Sequence, residues 1–134
     1  MSKSLRKSVN GLQKVFKTFD RIMKRLPSTY PQAHVVIHRD EECLKGYYLA
    51  HEEPPDDDFD LIAFCDAPSD TIHLHMDIQK ETCKAIASHI LHEMGHLYAY
   101  HKYGEKKRVW EDETYANRFA SRWVRQLDKE GWFK

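Results

Sequence analysis

Apolar positions in the first 26 residues recur at spacings of four and three: Leu5, Val9, Leu12, Phe16, Phe19, Met23 and Leu26, with Val15 and Ile22 widening the stripe. Side chains so spaced share one face of a helix, so the pattern predicts an amphipathic helix ended by Pro27. A stripe this wide is expected to dock onto the protein's own sheet rather than serve as a coiled-coil seam. The period then shortens. Residues 33–38, 44–50, 59–66 and 71–76 form short β-type runs broken by charged or Pro-containing stretches, and together they predict a small, mostly antiparallel sheet of three to four strands. Helical periodicity returns over residues 79–103 and 109–130, with a break at 104–108. The order is an N-terminal helix, a small sheet and two closing helices, which is the α+β class in one domain spanning 1–134.

Composition narrows the classes without naming one. With 134 residues, 41% hydrophobic and 31% charged, and only five Gly and five Pro, the chain has material for one core and little for disorder. No run approaches the roughly 18 apolar residues of a membrane span, and the start of the sequence lacks the apolar core of a signal peptide. The expected compartment is cytoplasmic, with no membrane partner. Cys43, Cys65 and Cys83 are odd in number and scattered, which predicts reduced thiols rather than a disulfide framework or a Cys-x-x-Cys metal pair.

Charge is balanced overall but uneven. Residues 1–26 hold eight Lys and Arg against Asp20, while residues 40–81 hold thirteen acids against Lys45 and Lys80. A nucleic-acid or protein partner for the basic helix 1–26 is one reading, and a self-complementary surface is the plainer one. The stretch 51–58, HEEPPDDD, reads as a solvated loop because two prolines and five acids neither continue a strand nor bury cheaply.

Residues 92–96 read His-Glu-Met-Gly-His. On a helix, His92 and His96 lie one turn apart and can grip one ion, and zinc suits imidazole nitrogen. Glu93, rotated by about 100°, is placed to take a proton from a water at the metal's open position. Gly95 costs about 1 kcal/mol against Ala inside a helix and suggests a close approach by a neighbour. A catalytic zinc needs a third protein ligand. Glu113 shares a three-four stripe with Ala116, Ala120, Trp123 and Leu127, so it is expected on the inward face of the last helix, and the small alanines would let that helix approach. Asp112 is the runner-up, Glu111 is expected to point away, and an Arg partner for Glu113 remains open at this stage. His89, one turn before His92, and His101 are candidate supporting groups around the metal. His73 and His75 share a face of run 71–76, either as an exposed strand face or as lining of the site, and that run is the expected edge strand for a substrate.

These residues carry a resemblance. His92-Glu-Met-Gly-His96 followed by Glu113-Thr-Tyr-Ala116-Asn117-Arg-Phe119-Ala120 resembles the ImmA/IrrE family of small zinc metallopeptidases, which pairs HExxH with a later E-x-x-A-N-x-F-A helix. The resemblance covers residues 70–125. It implies a minimal zincin-like fold, a Zn²⁺ cofactor held by His92, His96 and Glu113, and Glu93 as general base. It also implies site-specific cleavage of a protein substrate such as a helix-turn-helix repressor. Two other readings stay open: a non-enzymatic, metal-bearing regulator that binds protein or DNA, and a hydrolase of a non-peptide substrate.

Overall fold

The computed structural model describes residues 3–39, 62–104 and 109–133, with side chains from residue 11 onward. The predicted strand 44–50, the loop 51–58, Cys43 and the start of run 59–66 lie outside the described residues. Helix α1 (Lys3–Arg25) ends as the prolines of the sequence require: the Leu26 amide reaches the Ile22 carbonyl at 2.9 Å, and Pro27, with no N–H to offer, follows. Its buried line is Val15, Phe19, Ile22 and Leu26, while Phe16 turns to solvent. A wide stripe offers more than one seam, and the packing partner selects among them.

The sheet has three described strands, β1 (His34–His38), β2 (Ala63–Asp66) and β3 (Thr71–His75), in the order β1-β3-β2. β3 runs antiparallel to β2 and parallel to β1, so the described sheet is mixed rather than mostly antiparallel. The antiparallel pair is local. A short 3₁₀ turn, Ala67–Ser69, and Asp70 at φ 54° reverse the chain between β2 and β3; a short polar side chain tolerates this left-handed backbone. The path from β1 to β3 is long, as a parallel pair requires.

Helix α2 (Cys83–Tyr103) starts later than the periodicity predicts. Residues Met76–Lys80 form a 3₁₀ turn instead, capped by His75, whose Nδ1 accepts from the Asp77 amide at 2.9 Å. Thr82 then caps α2 by accepting from the Ala85 amide at 3.1 Å. Ile86, Ile90, Leu91, Met94 and Leu97 of α2 are fully buried, each contributing about 1.5–3 kcal/mol by leaving water. They meet Ile72 and Leu74 of β3 on one side and α1 on the other, which makes α2 the axis of the core.

The predicted last helix is broken near its start. Val109–Glu111 is a 3₁₀ turn, and Asp112 caps helix α3 (Glu113–Lys129) by accepting from the amides of Thr114 and Tyr115 at 2.8 and 3.2 Å. Ala116, Ala120 and Leu127 face inward as expected. At the α2–α3 crossing a Cβ on Gly95 would stand 3.0 Å from Ala116 Cα and 3.1 Å from Phe119 Cβ, so the absence of a side chain there lets the helices meet. A bidentate pair, Arg25 to Glu130 with a shortest distance of 2.6 Å, ties α1 to the end of α3. No described helix is long and apolar enough to cross a membrane.

Candidate metal centre

His92 and His96 project from the middle of α2, and their rings sit 4.9 Å apart at 79°, as one helical turn dictates. His96 Nδ1 lies 2.5 Å from the Trp110 carbonyl. A carbonyl only accepts, so Nδ1 carries the proton and Nε2 presents its lone pair to the cleft. Burial holds the His96 pKa below its ordinary value, against the Trp110 carbonyl and Glu113, which raise it. The neutral ring, which is the metal-binding form, is thereby favoured.

Glu113, the first residue of α3, completes the group. Its Oε2 is 2.8 Å from His92 Nε2 and its Oε1 is 3.1 Å from His96 Nε2, while the two imidazole nitrogens are 3.3 Å apart. Around a tetrahedral zinc with bonds of about 2.0–2.1 Å, donor atoms stand about 3.4 Å from one another. With one oxygen taken from Glu113, the three donor atoms lie within 4.8 Å of one another, and two imidazoles with a carboxylate are a donor set that zinc accepts with a fourth position left open. The residues fit the metal. Among the described residues they are the one group of three such side chains so placed.

Glu113 departs from expectation in one respect: its side chain is 69% exposed, where the stripe predicted an inward carboxylate. Being first in its helix, it has no preceding turn to cover it, so it reaches the histidines from the solvent side. Asp112, the runner-up, spends its carboxylate on the helix cap. Glu111 was expected to point away on a continuous helix, but the 3₁₀ turn before Asp112 resets the rotation and Glu111 lines the cleft.

The cleft has a volume of about 590 Å³, with α2 and α3 on one side and Ile62 with residues 63–65 of β2 on the other. Glu93 lines it from a buried position, 6% exposed. Burial first, and the charge of Glu113 second, push its carboxyl up to about 8. A cation held by Glu113 would oppose the second cause. Cys65 also borders the cleft, and burial, then Glu93, Asp66 and Asp70, push its thiol well above the ordinary range, so it is a poor nucleophile. Cys65 and Cys83 are both free thiols.

The outlying histidines divide. His89 lines the cleft and pairs with Glu81 at 2.9 Å. His101 does not line it. Five residues beyond His96, it is rotated by about 140° on the helix and binds Asp70 at 2.6 Å instead. His73 and His75 lie on β3, which is the centre strand of the described sheet and offers no edge. Their face is covered rather than exposed: His73 bonds His38 at 2.8 Å and stacks on Phe64 at 4.5 Å, and His75 caps the following turn. The strand that borders the cleft is β2.

Sequence reasoning gave Trp110 no role and named Asn117 only as part of the motif, not as a site residue. Asn117 stands one turn after Glu113 and was reachable by spacing, whereas the Trp110 carbonyl carries no signature in residue type. No protein-family model, curated protein or solved structure matches this chain.

Proposed function

We propose that the chain is a zinc-dependent peptidase that cleaves a protein substrate. The observation that carries this reading is the convergence of His92, His96 and Glu113 from two helices at donor-to-donor distances suited to one tetrahedral ion, with buried Glu93 in the same cleft. The motif resemblance to the ImmA/IrrE family supports a repressor or similar regulator as the substrate, and the free thiols accord with a cytoplasmic setting. Zinc, when bound, supplies a Lewis acid for the scissile carbonyl and the attacking water.

Glu93 does the proton work. In its ionised form, which a cation bound beside it would favour against the effect of burial, its carboxylate takes a proton from water in the cleft as the water oxygen attacks the carbonyl carbon. It returns that proton to the amide nitrogen as the C–N bond breaks, leaving a carboxylic acid and an amine. β2 is the end strand of the described sheet and a wall of the cleft. An extended substrate segment is therefore held beside β2, rather than beside the enclosed β3.

The test is Glu93→Gln, assayed against a helix-turn-helix repressor from the same genome with and without chelator. The variant should keep its fold and its zinc while cleavage falls by about 10²–10⁴. Zinc content from metal analysis, set beside a His92→Ala, His96→Ala double variant, reports on the site independently of substrate. No cleavage by the zinc-loaded parent protein, with biological activity unchanged in Glu93→Gln, would favour a metal-bearing regulator, in which the Glu113 contacts with both histidines serve to join α2 to α3.

A further inference from the structure

A second cleft of about 590 Å³ opens between the end of α1, the C-terminal half of α2 and the outer face of α3. Its chemistry differs from that of the metal centre. Tyr30, Tyr98, Phe119 and Trp123 form one aromatic cluster in its lining, beside Tyr103 and Tyr115: Tyr30 and Tyr98 are 4.5 Å apart, Tyr98 and Phe119 5.5 Å, and Trp123 meets Tyr30 edge-on at 6.1 Å. All four rings are only partly buried, so they retain accessible faces.

Cations border these rings. Arg118 and Arg122 are exposed one turn apart on α3, and neither makes a hydrogen bond or ion pair among the described residues. Lys102 reaches over from α2, its Nζ 5.6 Å from the centre of the Tyr98 ring. Arg25 also borders the cleft, but its charge is met by Glu130. Among the described residues, no carboxylate lines the cleft. Three cations without an acid, around partly open aromatic faces, make a site for a ligand that is both planar and anionic. The volume suits one small molecule.

We propose that this cleft binds a nucleotide, with the base against the tyrosine, phenylalanine and tryptophan rings and the phosphates on Arg118, Arg122 and Lys102. Guanidinium groups suit this role because their planar fork matches phosphate oxygens in pairs. The site stands apart from the metal-binding residues and does not depend on peptidase activity. Phe119 belongs to both neighbourhoods: it lines this cleft, and its Cβ would stand 3.1 Å from a Cβ placed on Gly95, which lies between Glu93 and His96.

Calorimetric titration of the full chain with ATP and AMP tests the proposal. Adenosine supplies the base without phosphate, pyrophosphate supplies phosphate without the base, and a ten-residue single-stranded oligonucleotide supplies both in a polymer. A nucleotide should bind saturably and at least tenfold tighter than adenosine or pyrophosphate. Arg118→Ala and Arg122→Ala should each weaken it tenfold or more. Both side chains are exposed, so helicity, melting temperature and zinc content should match the parent protein. Absence of saturable nucleotide binding overturns the proposal, as does unchanged affinity in the Arg118→Ala, Arg122→Ala double variant. Pyrophosphate binding as tightly as ATP would reduce the cleft to an anion patch, and an oligonucleotide binding tenfold tighter than ATP would replace the nucleotide with a nucleic-acid strand.

Discussion

Replacing Gly95 with Ala sets two effects of known sign against each other. In an isolated helix the change is favourable by about 1 kcal/mol, because alanine loses less backbone freedom on folding. Here the added Cβ would stand 3.0 Å from Ala116 Cα and 3.1 and 3.2 Å from Phe119 Cβ and Cγ. Ordinary carbon contacts lie at about 3.5–4.0 Å, so α3 must retreat by roughly 0.5 Å. The nearest atom is backbone, which moves only with its helix. Overpacking of this kind costs about 1–3 kcal/mol, so the balance is a net loss of about 0–2 kcal/mol. For a chain of this size each kcal/mol lowers the melting temperature by about 3–5 °C. The larger consequence falls on the metal. Glu113 lies one turn before Ala116, so displacement of α3 draws its carboxylate away from two histidines fixed on α2. Zinc affinity, measured by competition with a chelator, should drop by about 10–100-fold, the range seen when groups supporting a ligand are disturbed. If Gly95→Ala instead raised stability by about 1 kcal/mol and left zinc affinity unchanged, the close crossing of α2 and α3 would be refuted.

Other perturbations separate the roles of neighbouring residues. Glu113→Ala should cut zinc affinity by at least about 100-fold in the chelator assay, because it removes one of three donors; Asp112→Ala should cost about 1 kcal/mol in denaturant unfolding by uncapping α3, with the metal largely retained. Deleting residues 1–26 removes Val15, Phe19, Ile22 and Leu26 from the core and should cause unfolding or aggregation; a folded, soluble product by circular dichroism and gel filtration would make α1 a separable arm. The Arg25 guanidinium and Gln126 hold the Glu130 carboxyl down at about 2, against an ordinary 4.5. Since the folded value is the lower one, this clasp stabilises fully above pH 4.5 and is lost as pH falls toward 2. Glu130→Gln should flatten the pH dependence of unfolding in that window, and a Glu130 carboxyl titrating near 4.5 by NMR would show that the clasp does not form in solution.

The parts of this molecule that were legible in the sequence are those set by local rules. His92 and His96 meet because a helix repeats every 3.6 residues, and α1 ends at Arg25 because Pro27 follows. The Asp112 break was within reach, since an aspartate before Glu-Thr-Tyr is a familiar cap, but uninterrupted helical periodicity over 109–130 hid it. Exposure of Glu113 followed from that break: a residue inward on a longer helix becomes solvent-facing when it is the first. Strand order had no local signal. That β3 occupies the centre, with β1 parallel to it, depends on a long path from β1, and hydrophobic alternation reports neither neighbours nor direction. The burial of His73 and His75 went unread for the same reason, because the cover on their face comes from His38 and Phe64 on other strands.

The unequal shielding of the three donors has a kinetic consequence. His92 and His96 are anchored in a fully packed helix and keep only 21% and 10% of their side-chain surface, whereas Glu113 keeps 69%. An ion held by all three would have two immovable supports and one hinged latch. Loading and loss would then go through rotation of the Glu113 side chain alone, without opening the core. Exchange with the surrounding metal pool would be fast relative to unfolding, and a chelator would strip the ion from a protein that stays folded.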